Sequence, residues 1–243
     1  MNRRRGIYLL PNLFTTTALF AGFYSIVAAM NSQYQIAAIA IFVAMVFDGL
    51  DGRIARLTNT ESEFGAQYDS LADVVSFGLA PALVAYVWAL STLGKLGWMA
   101  AFLYVAATAL RLARFNTQVQ NADKRYFQGL PSPAAAAVVA GMIWFAEDFH
   151  LSLTVDIHLL ALPITVFVGL MMVSNVRYHS FKQFNLRNRV PFVAILLIPS
   201  IFIVIGMEPA LFLFALSLFY ALSGPVFTLI MVRRKRLQRS SSE

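Results

Sequence analysis

The chain has 243 residues, of which 59% are hydrophobic and only 13% are charged, about half the charged share of an ordinary globular protein. A soluble domain of this size needs a far more polar surface, so the composition excludes a soluble enzyme, a disordered chain and a fibrous protein. It predicts an all-α, polytopic bundle of transmembrane helices. The chain has no cysteine, so disulfides and thiolate metal sites are excluded as well.

Eight apolar stretches are long enough to cross a membrane, since a bilayer core about 30 Å thick needs about 20 helical residues. Their apolar character is continuous, which is typical of helices and not of alternating outer-membrane strands. In chain order the predicted spans are Leu9–Met30, Tyr34–Leu57, Ala66–Leu90, Leu96–Thr117, Pro133–Phe149, Ile157–Ser174, Pro191–Gly206 and Leu211–Val232.

The positive charges predict how the helices are oriented. With eight spans, all but one of the 19 Lys and Arg residues fall on the same side of the membrane. Lys95 alone falls on the other side, together with the acidic residues Glu147, Asp148, Asp156 and Glu208. The positive-inside rule makes the basic side cytoplasmic and puts both termini there. The net charge of +7 therefore reflects membrane topology, and we expect no nucleic-acid partner.

Four aspartates lie near the adjoining ends of the second and third predicted spans. Asp48 and Asp51 are three residues apart and Asp69 and Asp73 are four apart, so each pair lies on one helical face. Thr60 and Glu63 in the intervening turn form a capping-box pattern, which predicts that the two helices form an antiparallel hairpin. Acidic side chains inside a membrane are costly and mark functional sites. The hairpin therefore predicts a cluster of four carboxylates.

Such a cluster needs positive countercharge in apolar surroundings. Cations that prefer oxygen ligands, namely Mg²⁺, Mn²⁺ or Ca²⁺, would supply it, and two of them about 3.5–4 Å apart are typical of displacement at phosphorus. A proton relay or interhelical hydrogen bonding is the alternative. The apolar part of the second span, residues 36–47, covers only about 18 Å. The carboxylates are therefore expected just below the cytoplasmic interface, at the depth of a lipid phosphate.

The aspartates belong to a longer pattern with fixed spacing. It reads Asp48-x-x-Asp51-Gly52-x-x-Ala55-Arg56, then eight residues, then Gly65-x-x-x-Asp69-x-x-x-Asp73. This resembles the signature of the CDP-alcohol phosphotransferase family at all eight specified positions. The resemblance implies a single membrane-embedded catalytic domain, residues 1–243, that displaces CMP from a CDP-linked alcohol. Residues 1–174 would form a six-helix family core, and residues 175–243 would add a basic loop, two further helices and a basic tail.

The resemblance also implies roles for individual residues. Two divalent cations, bridging the diphosphate, would be bound by Asp48, Asp51, Asp69 and Asp73. Asp73 would also be the general base that accepts the proton of the acceptor hydroxyl. Contacts with the CDP-lipid are implied for Asn12, Gly52, Ala55, Arg56 and Gly65. Glycine in a helix costs about 1 kcal/mol relative to alanine, so both glycines indicate a steric requirement, with close helix packing as the alternative.

A second region indicates the acceptor. Arg111-Leu-Ala-Arg114-Phe-Asn116 and Tyr126-Phe-Gln-Gly129-Leu-Pro131-Ser-Pro133 resemble the bacterial phosphatidylserine synthase branch of the family. This implies CDP-diacylglycerol and L-serine as substrates, and a multi-pass protein of the bacterial inner membrane with a cytoplasmic active site. A serine carboxylate calls for cationic partners. The residues proposed to bind serine are Arg111, Arg114, Asn116, Lys124 and Arg125, with positive-inside topology and contact with anionic membrane lipids as the alternative for the four cations.

Other interpretations stay open at this point. Glycerol 3-phosphate or inositol phosphate as the acceptor would also need a cationic pocket. A membrane prenyltransferase would carry its acidic motifs on well-separated helices. A proton-coupled transporter would place acids near the midplane and show related halves. The small-residue run Ala134–Ala137, together with the family resemblance, predicts a homodimer.

Overall fold

Long apolar helices form almost all of the described structure, a computed structural model that describes residues 9–118, 126–151, 157–179 and 206–240. The α-helices are α1 (Leu9–Met30), α2 (Tyr34–Thr58), α3 (Glu63–Asp73), α4 (Ala80–Trp88), α5 (Lys95–Gln118), α6 (Ser132–Asp148), α7 (Ile157–Val173) and α8 (Pro209–Ser240). A π-helical turn (Val74–Leu79) joins α3 to α4, and a 3₁₀ turn (Leu90–Leu93) precedes α5. Two short strands are β1 (Tyr126–Gln128) and β2 (Arg177–His179).

The helix bounds agree with the predicted spans to within a few residues wherever the two can be compared. Within the described residues, five segments are long and apolar enough to cross a membrane: Leu10–Met30, Tyr34–Thr58, Glu63–Trp88, Lys95–Thr117 and Pro209–Thr228. Helices α6 and α7 have 17 residues each. The predicted seventh span lies outside the described residues except for Gly206. The helical membrane class is therefore confirmed, whereas the number of eight crossings and the orientation of the termini stay predictions.

Small residues bring α1 close to α2 and to the π-helical turn. Ala28 and Ala29 are buried at the end of α1, and the Ser25 hydroxyl donates to the Ala37 carbonyl at 2.8 Å. A Cβ on Gly22 would lie 2.7 Å from the Cα atom of Ser76, so only glycine fits there without a shift. This close approach lets a short side chain of α1 reach the acidic end of α2.

The turn between α2 and α3 differs from the prediction. Helix α2 ends before Asn59, whose φ of 51° is left-handed. Ser62 is the N-cap of α3, because its hydroxyl accepts a hydrogen bond from the Gly65 N–H at 3.0 Å. The predicted capping box at Thr60 is wrong, since it would require the helix to begin at residue 61. The hairpin itself forms as predicted.

The π-helical turn directly follows Asp73 and is anchored by both neighbouring helices. The Tyr104 hydroxyl of α5 donates to the Phe77 carbonyl at 3.1 Å, and the Ser76 hydroxyl donates to the Ala18 carbonyl of α1 at 3.2 Å. Single π turns are frequent at functional sites because they change the helical register locally. These contacts hold the π-helical turn in place directly after Asp73, the last residue of α3.

We expect Tyr104→Phe to lower the free energy of unfolding by about 1–3 kcal/mol, because a buried carbonyl would lose its hydroxyl donor. Thermal melting in detergent micelles measures the change. Tyr24→Phe is the matched control, since Tyr24 is 44% exposed on α1. An unchanged melting midpoint for Tyr104→Phe would show that the π turn does not depend on this hydrogen bond.

The two strands form an antiparallel ribbon that the sequence analysis did not predict. Phe127 pairs with Tyr178, and Gly129 follows with a φ of 78°. A Cβ on Gly129 would collide with the Met172 carbonyl, which explains why glycine is required there. Burial raises the pKa of Tyr178, so its phenol stays protonated and donates to the Ala221 carbonyl at 2.9 Å. The ribbon thereby contacts α8.

Half of the alanine run that predicted a dimer surface, Ala134–Ala137, is buried within the chain. Ala135 and Ala136 of the alanine run are fully buried in the described fold. A Cβ on the nearby Gly141 would lie 3.0 Å from the Cα atom of Phe214, so α6 also packs closely against α8. Two of the four alanines therefore belong to the core of α6, and the homodimer stays a prediction.

Candidate active site

The four aspartates of the motif lie together where α2 and α3 meet. One carboxylate oxygen from each of Asp48, Asp51 and Asp69 lies within 4.8 Å of the others. The Asp73 carboxyl is within hydrogen-bonding distance of the Asp48 carboxyl and also interacts with Asp69. The predicted cluster of four carboxylates is present in this geometry.

Helix α1 supplies a contact to this cluster that sequence reasoning missed. Asp51 is only 5% exposed, and its Oδ2 accepts a hydrogen bond from the Thr15 hydroxyl at 2.7 Å. The neighbouring Thr16 hydroxyl lies 2.9 Å from the Tyr68 hydroxyl of α3. Three consecutive threonines in an apolar span were the available signal. The hydroxyls of Thr15 and Thr16 hold α1 to both helices of the acidic hairpin.

A cleft of about 430 Å³ opens beside the acidic cluster. It is lined by Asp51 and Asp69 and by all five residues predicted to contact the CDP-lipid: Asn12, Gly52, Ala55, Arg56 and Gly65. The Arg56 Nε donates to the Gly52 carbonyl at 2.9 Å, which orients the guanidinium along the end of α2. The five residues predicted to contact the CDP-lipid therefore line one and the same cleft. Binding of a CDP-lipid by these residues remains a prediction.

The two motif glycines have different surroundings. A Cβ on Gly65 would lie 3.1 Å from the Ser62 hydroxyl oxygen and 3.5 Å from Oδ1 of Asn12, so Gly65 is closely packed. A Cβ on Gly52 would meet no atom within 4 Å, although Gly52 lines the cleft. Packing therefore accounts for Gly65. No neighbour within the described residues requires glycine at position 52, and a side chain there would face the cleft.

The donor set of the cluster fits divalent cations with a preference for oxygen. Ligands on opposite sides of such an ion, at about 2.0–2.6 Å from it, are separated by roughly 4–5 Å. The separation of at most 4.8 Å among three carboxylate oxygens falls in that range. Carboxylates held this close repel one another unless a cation or a proton compensates their charge. The cluster therefore suits one or more ions such as Mg²⁺ or Mn²⁺.

The residues predicted to bind serine occupy different positions. Arg111 is 9% exposed, interacts with Asp73, and donates through Nη1 to the Ser132 hydroxyl at 2.9 Å. Arg114 donates through Nη2 to Oδ1 of Asn175 at 2.7 Å, away from the aspartates. The Asn116 amide donates to the Ser70 hydroxyl at 3.0 Å. Lys124 and Arg125 lie outside the described residues. Among the described cations predicted to bind serine, Arg111 is the one that interacts electrostatically with the acidic cluster.

The fold and the site together define an integral-membrane protein with an acidic, cation-fitting centre beside a polar cleft at one end of its helices. The model of the family described as CDP-alcohol phosphatidyltransferase matches residues 8–171, and the chain belongs to this family of enzymes. Divalent metals are general in the family, which agrees with the acidic cluster.

Several relatives carry one and the same name. A Helicobacter pylori protein named CDP-diacylglycerol–serine O-phosphatidyltransferase is 38% identical over 226 residues, or 93% of this chain and 94% of the relative. A Methanocaldococcus jannaschii protein of that name is 33% identical over 184 residues, covering 76% and 80% of the two chains. A Saccharomyces cerevisiae protein of that name is 41% identical over 139 residues, covering 51% and 50%.

Proposed function

We propose that the protein transfers the phosphatidyl group of CDP-diacylglycerol to the hydroxyl of L-serine, giving phosphatidylserine and CMP. The observation that carries the choice of serine is the electrostatic interaction of Asp73 with the buried guanidinium of Arg111. In serine, the hydroxyl and the carboxylate stand on adjacent carbons. A group that takes the hydroxyl proton must therefore be close to the cation that binds the carboxylate. The names of the relatives, from a bacterium, an archaeon and a yeast, support the same pair of substrates.

In this reaction Asp73 is the general base. Its carboxylate takes the proton of the serine hydroxyl as the hydroxyl oxygen bonds to the phosphorus that carries the diacylglycerol. The bond from that phosphorus to the bridging oxygen breaks, and CMP leaves with the bonding electrons. The proton then passes from Asp73 to water, so charge and atoms balance. Arg111 holds the serine carboxylate through charge-assisted hydrogen bonds, with its Nε lacking a partner among the described residues.

The cleft accommodates the nucleotide. Gly52 leaves open space along α2, Ala55 adds only a methyl group, and the Arg56 guanidinium is exposed at the end of the cleft toward a diphosphate or cytidine. Asn12 and Gly65 form the wall on the side of α1 and α3. Aspartates 48, 51, 69 and 73 would hold two divalent cations, Mg²⁺ or Mn²⁺ with Ca²⁺ as a third choice. When bound, such ions neutralise the diphosphate and polarise its phosphorus.

We also propose that the protein is a single domain of the bacterial inner membrane, with eight crossings and an active site that faces the cytoplasm. Arg53, Arg56 and Arg111 lie at the same end of the helices as the aspartates. At the other end, the Trp88 indole donates to Glu147 at 2.7 Å and the Gln35 amide donates to Asp148 at 3.3 Å. This segregation of charge supports the proposed orientation. The family resemblance supports a homodimer.

An acceptor panel tests the proposed reaction. We expect purified protein in detergent, given CDP-diacylglycerol and Mn²⁺ or Mg²⁺, to release CMP with serine and not with glycerol 3-phosphate or inositol phosphate. Excess EDTA should stop the release, and added Mn²⁺ should restore it. CMP release with a phosphorylated alcohol alone would refute serine as the acceptor. Full activity in EDTA would refute the role of the cations.

A further inference from the structure

A threonine of α1 contacts the acidic cluster from outside the α2–α3 hairpin. Thr15 is 4% exposed, and its hydroxyl donates to Oδ2 of Asp51, itself 5% exposed, at 2.7 Å. This is the short distance expected of a hydrogen bond between a hydroxyl and an ionised carboxylate. Both partners are shielded from water, so the Asp51 carboxylate is held by a buried donor on a separate helix.

The proton of the Thr15 hydroxyl is available to Asp51. The Pro11 carbonyl, one turn earlier in α1, lies 3.1 Å from the same hydroxyl oxygen. A hydroxyl has one proton, so it cannot donate fully to both oxygens at once. In an α-helix the carbonyl of residue 11 accepts the N–H of residue 15 and does not need the hydroxyl. The shorter distance and the negative charge of the carboxylate both favour donation to Asp51.

The Asp51 carboxylate needs such a donor because of its neighbours. One of its oxygens lies within 4.8 Å of oxygens of Asp48 and Asp69. Like charges at this distance repel, and the terminal torsion of an aspartate rotates easily, so an unrestrained carboxylate would turn away from the other two. A carboxylate has about four positions that accept a hydrogen bond or a cation, and Thr15 occupies one of them. The others remain for a cation.

Helix α1 is well placed to provide this restraint. Asn12 and Thr15 are three residues apart, so they lie on one face of α1, and both line the cleft beside the cluster. A second pair of hydroxyls joins the same helix to α3, because the Thr16 hydroxyl lies 2.9 Å from the Tyr68 hydroxyl. Thr15 is therefore fixed relative to the cluster by a packed helix, as a residue that orients another must be.

We propose that Thr15 is a positioning residue for the cation site: its hydroxyl holds the Asp51 carboxylate in the orientation that binds a divalent cation. This inference rests on the cation part of the proposed function. Hydrogen bonds to metal-binding side chains contribute about 10- to 100-fold to metal affinity. The consequence is that the cation affinity depends on α1 as well as on the four aspartates of the α2–α3 hairpin.

Thr15→Val tests the proposal, since valine keeps the branched shape of threonine and removes the hydroxyl. We expect the Kd for Mn²⁺ to rise about 10- to 100-fold. Electron paramagnetic resonance of free Mn²⁺ measures it, on protein in detergent with saturating CDP-diacylglycerol and no acceptor, so that no turnover occurs. Thr15→Ser keeps the hydroxyl and should bind Mn²⁺ as the wild type does. With serine present, the Mn²⁺ concentration for half-maximal CMP release should rise in Thr15→Val by the same factor.

Thr17→Val is the matched control on the same helix. The Thr17 hydroxyl donates to the Leu13 carbonyl at 2.9 Å, and Thr17 is not one of the described residues that line the cleft. The substitution therefore makes the same chemical change in α1 without touching the contact to Asp51. We expect wild-type Mn²⁺ affinity from this variant.

The outcomes separate this inference from the proposed function. Wild-type protein that binds no Mn²⁺ would refute the proposed cation site. Wild type that binds Mn²⁺, together with an unchanged Kd in Thr15→Val, would refute only the role of Thr15. A Kd that stays raised in Thr15→Ser, or that rises equally in Thr17→Val, would show a role in helix packing alone and would also overturn the inference.

Discussion

Replacing Asp73 with Asn is expected to reduce serine-dependent CMP release about 10²–10⁴-fold, the usual contribution of a general base. The amide is nearly the same size as the carboxyl but cannot accept the hydroxyl proton. Asp48, Asp51 and Asp69 remain in the variant, so binding of CDP-diacylglycerol should be largely retained. Single-turnover CMP release and equilibrium binding of the CDP-lipid, measured on the same preparation, separate the two effects.

Asp148→Asn provides the matched control for this variant. It makes the same chemical change at the opposite end of the helices, where Asp148 accepts a hydrogen bond from Gln35. We expect wild-type turnover from it. If Asp73→Asn kept more than about a tenth of the wild-type rate, well above the range for a lost base, another group would have to take the proton.

Gly52→Val is expected to raise the KM for CDP-diacylglycerol by about 5- to 150-fold without unfolding the protein. No protein atom lies within 4 Å of a Cβ at position 52, so the valine side chain would extend into the cleft. Overfilling a fitted site costs about 1–3 kcal/mol, which corresponds to that range of affinities. Steady-state kinetics with varied CDP-diacylglycerol and saturating serine measure the effect.

Gly49→Val controls for the substitution itself. Gly49 lies one helical turn earlier on α2, its Cβ position is equally open, and it does not line the cleft. Both variants make the same change in helix propensity. Equal kinetics for the two would mean that position 52 does not contact the CDP-lipid, and that the open space beside Gly52 has no part in binding.

The sequence was sufficient to predict the features that depend on local periodicity. Continuous apolar runs gave the helix bounds, because each helix must satisfy its own backbone within a bilayer. The spacing of Asp48 with Asp51 and of Asp69 with Asp73 fixed one face on each helix. Because the turn between α2 and α3 is short, the two helices pack side by side and their aspartate-bearing faces meet. The carboxylate cluster follows from these local rules.

Contacts between distant segments could not be predicted in this way. The hydrogen bond from Thr15 to Asp51 depends on how close α1 approaches α2, which the buried alanines of the two helices decide. The ring contact of Tyr178 with Tyr220 depends on how the β1–β2 ribbon packs against α8. The β1–β2 ribbon has three residues in each strand, too few to show a period. Ser62 is the better N-cap of the two by intrinsic preference, and its hydrogen bond from the Gly65 N–H outweighs the capping-box pattern at Thr60.

The π-helical turn divides the third membrane helix into two segments, α3 and α4, whose rotations about the helix axis differ. Each residue of an α-helix advances the side-chain direction by about 100°, so one added residue rotates everything beyond it by that amount. Upstream of the turn, Asp69 and Asp73 must face the other carboxylates. Downstream, Ala80, Val84 and Ala85 must face the core, where all three are fully buried. In one uniform α-helix, the direction of the aspartates would determine the direction of the buried apolar residues. The inserted π-helical turn lets the polar segment before it and the apolar segment after it take different rotations about the helix axis.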